Sequence, residues 1–380
     1  MVKQLSILLI INAMMISSSL NAQNDLNFKG QLSGWMLYNG NNNLPLHTGG
    51  RYLPQLNYSI NLKNGSLIDF EASANIYGIA GVNLFDTLSP SGDIKPYRLW
   101  ARYSTDQFEL RLGLQKINFG SASMLRPLMW FDQVDPRDPL GFTDGVWGLL
   151  GRYYFLNNAN IWFWALYGNS NPRGWEAIGT NDRFPELGGR VQVPISSGEA
   201  ALTYNYRTAD SRDVSAIIPA FSEINESKIG LDLKLDLTVG LWFESSLTFK
   251  SKNLGLFTNQ EIYNLGIDYT YGLGNGLYIV YEQLLAYSGE RAFSFENRNS
   301  FSLMSVSYPV GMFDNIRGIV YYDWENNQAY NFINWEKSFS SITLYVMAFL
   351  NPDNYNIPTQ LTEHNLMAGN GIQIMIVYNH

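Results

Sequence analysis

Six arginines hold the first functional clue. Arg98, Arg102, Arg111, Arg152, Arg190 and Arg207 each sit in a short segment where polar and apolar residues alternate. Arg98 and Arg102 share one face against Leu99, Ala101 and Tyr103, and Arg111 opposes Leu110 and Leu112. Acids occupy the same kind of position in other segments: Asp69, Glu71, Glu109, Asp232, Asp236, Glu244 and Asp268. Charges of both signs on one face of neighbouring strands would set a transverse field across a wet space. Such a field orients polar solutes and biases passage by charge. The plainer alternative is that these groups neutralise one another in a filled interior.

A second candidate is the stretch Leu125–Gly145, "LRPLMWFDQVDPRDPLGFTDG". It lies in a connection of about 28 residues, beyond the length at which loops without secondary structure are usually functional or disordered. Its composition is that of a core, with Met124, Leu125, Leu128, Met129, Trp130, Phe131, Leu140 and Phe142. Prolines stiffen it, and Asp135-Pro136 and Asp138-Pro139 favour turn starts. Residues this apolar predict a segment folded inward as a constriction. Arg126, Trp130, Asp132, Asp135, Arg137 and Asp138 would face the wall or the opening. The alternative is a cap over the mouth or a contact with a neighbouring subunit.

Catalytic and metal chemistry is thinly represented. There is no Cys, and the three His residues are His47, His364 and His380. All three fall in outer loops or at the end, and His47 has no carboxylate or Ser beside it in sequence in the manner of barrel-type proteases and phospholipases, although Asp86 or Asp93 could approach it in space. Gly272–Gly276 is glycine-rich but has no helix after it to make a phosphate cradle. Asp182, Asp210 and Asp353 are too scattered for a calcium loop. No catalytic residue, resident metal or cofactor is expected.

The elements that must position the charges are strands. In Lys228–Leu237 every odd residue is aliphatic and every even one is charged or Gly. Leu241, Phe243, Leu247 and Phe249 then oppose Glu244, Ser246, Thr248 and Lys250. Such alternation marks strands with one apolar and one polar face. About 18 segments fit, with 16 as the smaller even count. Short connections such as 63–66, 104–106, 157–158 and 196–198 alternate with long ones at 39–49, 79–93, 117–144, 168–185 and 350–363. That rhythm belongs to a transmembrane antiparallel up-and-down β-barrel, with short turns on the periplasmic side and long loops outside. An arginine facing lipid at the midplane would cost about 2–4 kcal/mol, so the six point inward. Trp35, Tyr38, Tyr77, Tyr271 and Trp324 at strand ends read as interfacial girdles.

Composition agrees with this class. Charged residues are 15% of the chain, against about 25% in ordinary soluble proteins. Aromatics are 14%, including 24 Tyr and 10 Trp. Lys3, an apolar run from Leu5 to Ile16 and small residues up to Ala22 make residues 1–22 a secretory signal peptide, leaving 23–380 as one barrel domain. Net charge is −8 with the leader, which argues against nucleic acid as a partner. A secreted sandwich has no reason for the loop rhythm, and no solenoid repeat of about 20–30 residues is present. With an even strand count both termini lie in the periplasm. Gly371–Tyr378 closes the ring against Phe28–Tyr38.

The stretch from Arg98 to Gly145, "RLWARYSTDQFELRLGLQKINFG…LRPLMWFDQVDPRDPLGFTDG", resembles the alginate-export type of outer-membrane barrels and related porins. The shared residues are a G-x-Q strand, a following Gly and an N/D-P-x-D turn. Here they are Gly113, Gln115, Gly120, Asp135, Pro136 and Asp138. The resemblance implies an 18-stranded barrel of a Gram-negative outer membrane, and in the exporters an arginine-rich lumen for anionic polysaccharide. The expectation is therefore an outer-membrane channel for small hydrophilic solutes, with anions or acidic sugars favoured. The other class is a plugged barrel serving surface-polysaccharide assembly or adhesion. The partners are the lipid bilayer and the solutes; nothing in the sequence sets the oligomeric state.

Overall fold

In a computed structural model the structure describes residues 24–41, 44–83, 87–353 and 366–380. The expected leader, Asp86, His364 and most of the 350–363 connection lie outside these. Nineteen strands follow in chain order: β1 (Asn24–Asn39), β2 (Leu46–Asn61), β3 (Leu67–Asn83), β4 (Thr87–Ser104), β5 (Phe108–Gln115), β6 (Val146–Tyr154), β7 (Asn160–Leu166), β8 (Gly179–Thr180), β9 (Glu186–Ile195), β10 (Gly198–Asp210), β11 (Ile224–Asp236), β12 (Gly240–Lys250), β13 (Asn259–Tyr271), β14 (Leu277–Gly289), β15 (Asn299–Pro309), β16 (Asp314–Asp323), β17 (Gln328–Ser338), β18 (Ile342–Leu350) and β19 (Asn370–Asn379).

Eighteen of them form the wall of a closed antiparallel barrel. Each pairs with the next, β7 passes directly to β9, and β19 returns to β1 from Gln31↔Asn379 to Asn39↔Gly371. The two-residue β8 is a spur that pairs with Ala209 and Asp210 at the end of β10. Every wall strand is thus paired on both sides, the condition for strands to cross a bilayer, and the part of β4 before Leu99 extends beyond its pairing with β5. The period-two pattern sorts residues as expected. Along β11, Glu226, Lys228, Gly230 and Asp232 are buried inside while Leu231 is exposed on the outside. Leu32, Met36, Leu202, Tyr204, Ile374 and Ile376 likewise face outward.

Two features depart from the sequence reading. Residues 79–93 are mostly ladder: β3 runs to Asn83 and β4 starts at Thr87, paired from Asn83↔Thr87 downward. Small residues such as Ala80, Gly81, Ser89 and Ser91 carry the ladder there without the apolar alternation that a lipid-facing strand must show. Of the aromatics expected at the interfaces, Tyr38, Tyr271 and Trp324 are exposed on the outside. Trp35 and Tyr77 instead face inward beneath Arg51. Their strands extend past the belt, so position near a strand end did not set their depth.

Candidate functional site

A β-bulge sets the inner face of β4. The register between β3 and β4 slips at Ser73/Ala74, so Tyr97 has no partner between Arg98 and Pro96. The extra residue keeps Lys95 and Arg98 on the same side although they are three apart. Both reach the long segment between β5 and β6. Lys95 pairs with Asp144 at 2.6 Å, and Arg98 Nη2 donates to the Thr143 carbonyl at 2.9 Å.

That segment, residues 116–145, crosses the interior. Ser121 Oγ donates to Asp232 on β11. The Ala122 and Leu128 N–H groups donate to Glu244 on β12 at 2.8 and 2.6 Å. The Ser123, Met124 and Leu125 N–H groups donate to Glu282 on β14, which also accepts from Trp242 Nε1. Asp232, Glu244 and Glu282 lie five, six and eight strands from β5 round the ring of eighteen. Gly120, at φ +106°, lets the backbone approach: a Cβ there would fall 2.5 Å from Glu244 Oε2. Burying carboxylates is costly unless they are hydrogen-bonded, and five backbone donors supply the bonds here.

The apolar residues of the crossing segment divide between two clusters. Leu125 joins Leu37, Leu284, Leu303, Tyr330, Phe332 and Phe349 on the β14–β1 side. Phe119, Leu128, Trp130 and Phe131 pack with Leu150 and Trp164 on the β6–β7 side. Trp130 Nε1 donates to Ser246 Oγ at 2.8 Å, so its polar edge is satisfied. Arg126 pairs with Asp132 at 2.8 Å, and Trp175 from the next loop donates to the Arg126 carbonyl.

Residues of the sequence motif frame this loop. Gln115 Nε2 donates to the Gly148 carbonyl; Asp135 accepts from the N–H and guanidinium of Arg137; Asp138 accepts from the Leu140 and Phe142 N–H groups. Burial lifts the Asp138 carboxyl above the ordinary Asp range, against the downward pull of those two N–H groups and of Arg51. A cavity of about 180 Å³ lies beside it, lined by Trp35, Arg51, Arg137, Leu140, Phe142 and Gln373 among others.

The structure splits the expected basic arc into two parts. On β4–β6, Arg102 pairs with Asp69 through two nitrogens and lies 3.6 Å from Glu109; Arg111 and Arg152 share Glu109 at 2.9 and 3.7 Å. Their side chains keep 27%, 14% and 16% exposure. Each stacks on an indole, Arg102 and Arg111 on Trp100 and Arg152 on Trp162 at 3.8 Å. Glu71 is half-buried nearby, with Ser73 Oγ as a donor. On β9 and β10, Arg190 and Arg207 are 3% and 0% exposed. Arg190 holds Asp232 at 2.6 Å, and Arg207 holds Glu226 and Glu176. Loops cover this half. Asp236 and Asp268 sit near the turn-rich end, beside Lys234 and accepting from Tyr278 Oη respectively.

Sequence reasoning missed Arg51, Glu176, Glu186, Glu226 and Glu282. Arg51 falls on a part of β2 without alternation. Glu282 sits in Leu277–Leu285, where both faces are apolar, and no local signal marks it. His47 is buried on β2. Among the described residues no group of three or more His, Cys, Asp or Glu could hold a metal ion.

No family model and no curated protein matches the chain. Solved structures do. The crystal structure of OccAB4 from Acinetobacter baumannii superimposes with a TM-score of 0.57 at 11% identity, over 94% of this chain and 98% of that one. OccK5 (OpdH) from Pseudomonas aeruginosa gives 0.54 at 11%, over 93% and 98%. An anion-selective porin from Comamonas acidovorans gives 0.51 at 14%, over 94% and 100%. The fold is thus the closed antiparallel barrel that these porins have.

Proposed function

We propose that the protein is an outer-membrane channel for passive diffusion of small hydrophilic solutes, with anions or acidic sugars favoured and residues 117–144 as its constriction. Both termini then lie in the periplasm with the short turns, and the long loops face outside. The observation that carries the reading is the column of Arg51, Arg102, Arg111 and Arg152, partly exposed, with Arg98 buried beside them, against Asp69, Glu71 and Glu109 below and Asp138 and Asp144 at the loop end of the same arc. Guanidinium groups backed by indoles keep their free N–H edges toward the lumen and present a fork that matches carboxylates. The crossing segment narrows the path beside this column, with Asp135, Arg137 and Asp138 at its margin. An anion passing there would exchange water for successive guanidinium contacts without meeting a continuous acidic face.

The second reading, a plugged barrel for polysaccharide assembly or adhesion, draws support from the two apolar clusters that fill the interior around Leu125 and Trp130. Single-channel recording in a planar bilayer separates them. Discrete conductance with an anion-selective reversal potential is expected. Absence of conductance sinks the channel; a cation-selective potential sinks only the anion preference.

A further inference from the structure

On the loop-covered side of the interior, seven ionised side chains form one contiguous network. Arg207 lies 2.9 Å from Glu176 and also binds Glu226; Lys228 binds Glu176; Lys250 lies 3.5 Å from Glu226; Arg173 lies 2.7 Å from Glu186 and 3.7 Å from Glu176. Every one of these side chains is at most 10% exposed. Among the described residues that makes four cations, Arg173, Arg207, Lys228 and Lys250, against three carboxylates, Glu176, Glu186 and Glu226. An uncompensated charge in a dry interior is expensive, and proteins neutralise it with a partner.

The surplus has an identifiable place. Arg173 Nε and Nη1 are buried with no hydrogen-bond partner, while Nη2 is taken by Glu186. Arg173 lines a cavity of about 30 Å³ together with Lys228, Lys250, Ser246, Thr248 and Gln260, and with the carboxylates Glu176 and Glu226. A space of this size exceeds the roughly 10–15 Å³ that one water needs, and it matches a monatomic ion rather than an organic acid. Ser246 already accepts from Trp130, so its own O–H is free to donate. On the lining itself three cations, Arg173, Lys228 and Lys250, stand against the two carboxylates. We infer that this cavity binds one monovalent anion of halide size, closing the network to neutrality. Because Met129 and Trp130 of the crossing segment and Trp175 of the following loop line the same cavity, the ion would pin both loops to β11–β13. The inference is independent of the channel reading, since it concerns the far wall from the exposed arginine column.

The test uses the full-length barrel in detergent. Crystals grown in sodium bromide should show an anomalous peak within reach of Arg173 and Lys250. Thermal unfolding should be several degrees higher in bromide than in gluconate at equal ionic strength, because an ion that binds only the folded state stabilises it. Lys250→Met removes the surplus cation and should abolish the difference between the two anions. No bromide peak, together with equal unfolding temperatures, would overturn the site and leave an uncharged Lys250 as the means of balance. If the variant does not fold, the bromide map of the unaltered protein decides alone.

Discussion

The arginines of β4–β6 and those of β9–β10 come from the same sequence pattern and meet different fates. Arg102, Arg111 and Arg152 share two carboxylates, lean on indoles and keep an exposed edge. Arg190 and Arg207 have their own acids and lie beneath loops, 3% and 0% exposed. The wall alone does not make the difference, because both sets point inward from alternating strands. The loops make it: residues 168–185, which include the spur β8, lie over Arg207, which donates to Thr180 and to the Ile178 carbonyl, and Phe119 of the crossing segment lies against Arg190. An inward arginine is therefore a necessary condition for a charged lumen and not a sufficient one.

The largest contrast should appear in stability. Glu226→Ala leaves Arg207, Lys228 and Lys250 without their shared acid, and breaking a buried pair costs about 3–5 kcal/mol. Thermal unfolding of the barrel in detergent should fall sharply. The matching change on the open side, Asp69→Ala, should cost about 1 kcal/mol or less. Equal losses would erase the distinction between the two arcs.

Next comes the anchor of the crossing segment. Glu282→Ala strips three backbone N–H groups and Trp242 of their acceptor, at about 1–3 kcal/mol for each group left unsatisfied. The barrel should persist and the segment should loosen. Single-channel traces should become noisy, with conductance several-fold above the parent. A quiet trace at parental conductance would mean that the apolar clusters hold the segment by themselves.

Selectivity should respond to the open arc alone. Charge reversal at both Arg98 and Arg102 should move the reversal potential toward cations, while Arg190→Gln should leave it in place and lower the unfolding temperature. If reversing Arg98 and Arg102 leaves the potential unchanged, the solute path does not run past them.

The smallest effect concerns pH. The Asp138 carboxyl is raised by burial, so it takes up its proton above the ordinary Asp range as pH falls. Protonation removes a negative charge beside Arg51, and anion preference should increase on acidification through that raised value. Asp138→Asn should hold the high preference at every pH and flatten the profile.

Much of this was legible in the sequence. The wall strands, their rhythm of short and long connections and the inward sense of the arginines all follow from period-two alternation, since a residue on such a strand has only two sides to face. The core-like loop was legible too, because Trp130, Phe131 and Leu125 could not be left in water. Where alternation fails, the reading failed. The upper parts of β2, β3 and β4 are wet on both faces, so Arg51 went unnoticed and Trp35 and Tyr77 read as girdle residues.

The chain by itself determined that a barrel would form and which side chains would point in. Only the tertiary structure decided which of those inward charges stay wet. That choice depends on where two loops come to rest across the ring. Glu244 and Glu282 draw one of them over β12–β14, and both acids are more than a hundred residues further along the chain. No local pattern carries a contact of that separation; it exists once the ring has closed and brought opposite walls within reach.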